Sequence, residues 1–195
     1  MDPALLAHLT PHMAELGELA GGRLGALADT CERHEPVLHR RDRYGRDEEW
    51  LEFHPAYREM ESIAFGRFGM HAMTNRAGVL GWPDKMPPIA KYVFHYLFSQ
   101  AEFGLLCPVN LTDSPSHPVD LFGPQELREQ FLPDMWTQDL SRLTRVARMM
   151  AGKAGGSRGG GCSDTHSRRF ARAEDVMMVC GLSAPRHTAN TVGGR

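Results

Sequence analysis

The chain lacks any run of about 18 consecutive apolar residues, which excludes a membrane-spanning helix as its organising feature. Its opening residues, MDPALLAHLTPHMAEL, do not place a basic stretch before an apolar one. No secretory leader is therefore expected, and the cytoplasm is the expected location. Cysteine is scarce: Cys31, Cys107, Cys162 and Cys180 form no CxxC pair, so neither a zinc site nor a disulfide scaffold is expected. Ten histidines are scattered, and the close Cys31/His34 and His34/His39 pairs lack further ligands at helical or hairpin spacing, so no metal site is expected either. A GxSxG elbow and a GxxxxGK[ST] phosphate loop are both missing, which removes support for serine hydrolase and P-loop nucleotide chemistry. Aromatic residues are missing from one end: fifteen of the 16 precede residue 137, and Phe170 is the exception.

Two kinds of sequence are present. The 195 residues carry a net charge of −2, but residues 1–140 hold 12 Lys and Arg against 21 Asp and Glu, while residues 141–195 hold 10 against 3. Nine of the 20 glycines fall in residues 152–195. The first region can bury a core. The second offers few large apolar groups to offset its chain entropy.

Periodicity predicts a mainly α fold for residues 1–150. Leucines at 5, 6, 9, 16, 19, 24 and 27, with Met13, recur at mostly three- or four-residue steps and predict helix over 4–31, broken near Pro11 and Gly21-Gly22. Residues 35–54 read as a charged connector. Its Arg40–Arg46 run is followed by Asp47, Glu48 and Glu49, which favours a solvated segment over a nucleic-acid contact. Helices are expected over 56–73 and, after Pro87-Pro88, over 89–106. Residues 107–120 read as a loop, Gly123-Pro124 as the opening of a short helix, and 135–150 as a last helical stretch. Beyond 150 an irregular Gly- and Arg-rich tail with at most one or two short strands is expected, VMMVCGL being one candidate.

Within the 89–106 helix, Tyr92, Tyr96 and Phe103, flanked by Phe94 and Phe98, form an aromatic stripe. Such a stripe can line a pocket, but at this spacing core packing is the expected role. Glu102 is expected to pair with an arginine or a helix end rather than to serve as a pocket acid, and Cys107 to be buried and inert. The glycines between 155 and 161 form either a flexible link or a phosphate nest, the link being favoured.

Three segments resemble the amino-terminal helical domain of the acyl-CoA dehydrogenase family, in its AidB-like branch. They are DRYGRDEEWLEFHPAYREM at 42–60, KYVFHYLFSQAEFGLLCPVNLTDS at 91–114 and FGPQELREQFLPDM at 122–135. The middle segment is the most specific, through its A-E-x-G-x-x-C-P-V-x-x-T-D run. The family next enters a β-domain through a motif like M-T-E-x-x-x-G-S-D, matched here by Met150, Gly156 and Ser157. The resemblance implies FAD as cofactor, with these three residues at the cofactor, and an acyl-CoA-type substrate oxidised at its CH–CH bond. Ala151 stands where the family has the threonine that hydrogen-bonds the flavin, Gly152 where it has glutamate and Arg158 where it has aspartate. A methyl group cannot make that bond. The family's catalytic base lies in a carboxy-terminal helical domain, so no catalytic residue is assigned here and turnover by this chain alone is not expected. The implied organisation is a helical domain over 1–150 and a truncated or disordered β-domain remnant over 151–195. The Arg-rich, aromatic-poor character of the latter suggests a disrupted reading frame. Family partners cover the helical domain, so a homo-oligomer or missing domains are expected. An alternative is a non-enzymatic helical interaction module whose basic tail contacts nucleic acid.

Overall fold

The computed structural model describes residues 1–149 and 179–183. The first helix, α1 (Pro3–Ala20), opens on Pro3 with the Asp2 carboxylate accepting from the Leu5 N–H, and runs through Pro11 without a break. Gly21-Gly22 separates it from α2 (Arg23–Glu32). Leu5, Leu9, Leu16, Leu24 and Leu27 all point into the core.

Residues read as a connector instead form an antiparallel hairpin, β1 (Val37–Arg41) with β2 (Asp47–Glu52), in which Leu38 faces Leu51 and His39 faces Trp50. Asp42 builds the turn, its Oδ1 accepting from the N–H groups of Tyr44 and Arg46, and Gly45 sits at φ 78°. The charges do not oppose the strands because they pair across them: His39 Nε2 lies 2.7 Å from the Glu52 carboxylate, and the His39 ring stacks on Trp50 at 4.2 Å.

The expected helix over 56–73 is shorter and changes pitch. It comprises α3 (Pro55–Glu61) and a π-helical turn (Ser62–Arg67), after which Gly69, at φ 58°, turns the chain away. A Cβ at Gly69 would also meet the Gln138 side chain at 2.9 Å. Glu61, 2% exposed, lies between the guanidiniums of Arg58 and Arg145, each at 2.8 Å, and so ties α3 to the start of β3. The core centres on Phe65, Phe68, Phe94 and Phe98, with Met60, Met70 and Met73 filling around the rings.

Helix α4 (Pro88–Ser99) starts as expected but ends about two turns before 106. The expected loop at 107–120 is α5 (Leu106–Phe122). Its prolines argue against a helix in sequence, yet Pro108 falls in the first turn, where no intrahelical N–H is needed. Leu105, Leu106, Val109, Thr112, Asp113 and Ser116 form a buried stripe at helical spacing that outweighs Pro115 and Pro118. Helix α6 (Gln125–Met135) follows Gly123-Pro124 and carries Pro133 inside it. The expected helix over 135–150 is not formed. Asp139 caps a turn at Ser141, and the chain enters β3 (Arg145–Met149), paired antiparallel with β4 (Val179–Ser183). Among the described residues the fold is thus mainly α with two two-stranded sheets, and β4 covers part of the expected VMMVCGL strand.

Candidate functional site

Helix α4 presents two unlike faces. Ala90, Lys91, Phe94, His95 and Phe98 are buried, while Tyr92, Tyr96 and, just beyond the helix, Phe103 are 57%, 68% and 77% exposed. The expectation of core packing therefore holds for Phe94 and Phe98 and fails for the other three. Residues 92, 95, 96 and 99 fall on one side of α4 at helical spacing. Opposite them lie Leu106, Cys107 and Asn110 of α5. With Phe103 at the connecting turn they line an open, mostly apolar groove of about 580 Å³.

Glu102 sets the geometry of that turn. Its carboxylate accepts from the N–H groups of Gly104 and Leu105, both at 2.7 Å, and so caps the start of α5, as the sequence led us to expect. Cys107 is exposed on the groove, contrary to expectation, because its side of α5 turns away from the Leu106–Val109 stripe.

His95 is the buried polar member of the lining, 7% exposed. Desolvation by burial, with the positive charge of Lys91, lowers its pKa to about 4, although Asp113 and a hydrogen bond to the Met70 backbone act the other way. The ring is therefore neutral at pH 7. Its Nε2 is buried and has no hydrogen-bond partner among the described residues.

Behind the groove lies a closed polar knot. Lys91 Nζ donates to Asp113 Oδ2 at 2.6 Å, and Asn75 Nδ2 donates to Asp113 Oδ1 at 2.8 Å and to the His71 carbonyl at 3.0 Å. Thr74 adds a longer bond to Oδ1 at 3.4 Å. Lys91, Asp113 and Asn75 are each under a tenth exposed and together border a second groove of about 470 Å³. These residues lie inside or beside the most specific matching segment, but nothing in their spacing marked them. A lysine at 91 on the same helical face as Phe94 and Phe98 is the signal that would have found the pair. His71, fully buried, is likewise held at a pKa of about 4 by desolvation and bonds the Thr137 carbonyl through Nε2.

Met150, Gly156 and Ser157, matched by resemblance to cofactor-binding positions, lie outside the described residues. Residue 151 has a methyl in place of the hydroxyl, and Lys91, beside the second groove, is already neutralised by Asp113. Among the described residues no group of three His, Cys, Asp or Glu side chains is placed to hold a metal ion. No helix there is long and apolar enough to cross a membrane.

Residues 4–141 match the model of the adaptive response protein AidB N-terminal domain. No curated protein matches the sequence. Solved structures that share the fold include the following two. The apo form of Bd2924 superposes with a TM-score of 0.68 over 80% of this chain and 30% of that chain, at 19% identity. Caenorhabditis elegans ACDH-11 in complex with C11-CoA superposes with a TM-score of 0.65 over 80% of this chain and 26% of that chain, at 17% identity. The chain thus spans under a third of the length of either structure.

Proposed function

Because the chain belongs to the AidB N-terminal-domain family, acyl-CoA dehydrogenase-like in fold, we propose that it supplies the helical wall of an acyl-CoA site. On this reading it is the amino-terminal part of a flavoprotein of the acyl-CoA dehydrogenase type. The observation that carries this is the α4–α5 groove. Tyr92, Tyr96 and Phe103 stand in solvent on the segment with the most family-specific sequence, and their exposure needs an occupant or a covering body. One neighbour of similar fold was solved with C11-CoA, an apolar chain on a thioester carrier, and the groove's apolar lining suits such a chain.

The same residues argue against turnover by this chain alone. A dehydrogenation needs a base for the α proton. The groove is lined by tyrosines, a neutral histidine, Ser99, Phe103, Leu106, Cys107 and Asn110, with no carboxylate among them. The chain's contribution is to bind and orient the acyl chain and to exclude water from it. The reaction's base and a fitting flavin site belong to further domains or to a sister subunit, which also cover the exposed aromatics. Residues 151–195 correspond in this scheme to the start of the β-domain.

The visible absorption spectrum of the purified chain, before and after incubation with FAD, tests the division of labour. A colourless protein that binds a long-chain acyl-CoA in calorimetry is expected. Stoichiometric flavin bands, with bleaching on addition of acyl-CoA, would contradict it.

A further inference from the structure

The β1–β2 hairpin carries apolar surface that its own chain leaves open. No described side chain of either strand is buried, and Val37, Leu38, Trp50 and Leu51 each stand about half exposed. Among the described residues, no backbone group of residues 37–41 or 47–52 bonds outside the hairpin, so the outer edges of both strands are free. A lone two-stranded hairpin exposed on both faces is marginal in water, and a free apolar edge is a template for a further strand. Charge separates the two edges. Strand β2 has acids at both ends, Asp47 and Glu48 at one and Glu52 at the other. Two copies of it laid antiparallel set Asp47 against Glu52, carboxylate to carboxylate. Strand β1 is instead divided along its length, with Val37 and Leu38 before His39 and Arg40 and Arg41 after it.

We infer that β1 is the edge through which two copies of this chain associate, their hairpins joining into one antiparallel sheet in the order β2–β1–β1–β2. Antiparallel pairing over the full strand, centred on His39, sets Leu38 opposite Arg40 of the second copy and Val37 opposite its Arg41. No two arginines are then opposed. Each arginine stem lies over an aliphatic side chain while its head stays in water, and the Arg41 head already lies 3.8 Å from Asp47 of its own hairpin. His39, stacked on Trp50 at 4.2 Å, falls on the two-fold axis, so its ring and the indole continue into the same pair of the second copy. The contact is self-complementary and closes at two chains. Joining β1 to β2 of the next copy would leave a free edge and grow without limit. The inference does not depend on the acyl-site reading.

The test is sedimentation velocity of the full chain over a wide concentration range, with hydrogen exchange of the β1 amides at both ends of that range. A monomer–dimer equilibrium is expected, with exchange in residues 37–41 slowing as the dimer forms. Leu38→Arg sets one guanidinium against another across the axis, twice per dimer, and should raise the dimer Kd roughly ten-fold. Arg40→Glu sets a carboxylate opposite Leu38, and mixing it with the Leu38→Arg chain should restore association as a heterodimer. Exchange in the helical core reports whether each variant keeps its fold. Where Leu38→Arg does not, the concentration dependence of β1 exchange in the wild-type chain carries the test. A monomer at every concentration, a dimer indifferent to Leu38→Arg, or open-ended polymers overturns the inference. Slow β1 exchange that is independent of concentration assigns the edge to another segment of the same chain and equally overturns it.

Discussion

Lys91 and His95 stand one turn apart on α4, and their surroundings differ in kind. Lys91 has found its partner inside the fold: a 2.6 Å ion pair with Asp113, supported by Asn75 and Thr74. Around His95 a buried ring nitrogen has no partner, beside a groove rimmed by exposed aromatics. The first arrangement is what a structural network looks like, since partly satisfied buried polar groups are costly. The second is what a recognition surface looks like. Both residues lie on the buried side of α4, while Tyr92 and Tyr96 stand exposed on its other side.

The comparison can be broken at several points. The largest effect is expected from Asp113→Ala, which leaves Lys91 charged and unpaired in a buried site. Chemical denaturation should show a loss of about 3–5 kcal/mol, and a Lys91→Met, Asp113→Leu double variant should recover much of it. A smaller loss in the single variant than in the double would show that the knot is not a coupled unit.

Next comes pH. His71 and His95 have pKa values lowered from 6.5 to about 4 in the fold, first of all by desolvation. The unfolded chain therefore takes up protons before the folded one on acidification. Stability is whole above pH 6.5 and falls as the pH drops towards 4, by about 3 kcal/mol for each ring over the full window. Denaturation midpoints measured between pH 7 and pH 5, where most carboxylates are still ionised, should show the fall. A flat profile would mean that the rings are not held neutral.

Glu102→Ala removes the carboxylate from the start of α5 and should cost about 1 kcal/mol, typical of a lost cap. Because Glu102 also holds the turn bearing Phe103, acyl-chain binding should weaken with it. The smallest change in stability is expected from Tyr96→Ser. Tyr96 is 68% exposed, so thermal melting should shift by no more than about 0.5 kcal/mol, while acyl affinity falls. Comparable stability losses from Tyr96→Ser and Phe98→Ala would erase the distinction between the two faces.

Parts of this were legible before any coordinates. The leucine spacing of α1 and α2, the Gly21-Gly22 break and the core roles of Phe94 and Phe98 follow from period and turn chemistry alone. Helix α5 was hidden because Pro108, Pro115 and Pro118 outvote a local count, whereas the buried stripe that stabilises it is visible only against a neighbouring helix. The β1–β2 hairpin was hidden by its charges, though Asp42 and Gly45 between two alternating segments were the turn signal. The outward turn of Tyr92, Tyr96 and Phe103 was not legible, since an aromatic stripe has the same spacing whether it meets a core or a ligand. A single histidine on an apolar face says equally little until its two nitrogens are followed to their partners.

The most direct test of the central claim, that the outer face of α4 and the start of α5 form an acyl-binding wall, is a ¹H–¹⁵N correlation spectrum titrated with a long-chain acyl-CoA. Shifts concentrated between residues 92 and 110, with the Lys91–Asp113 knot undisturbed, are predicted. No shifts, or shifts confined to the Asp113 side or to the β1–β2 hairpin, would contradict the account.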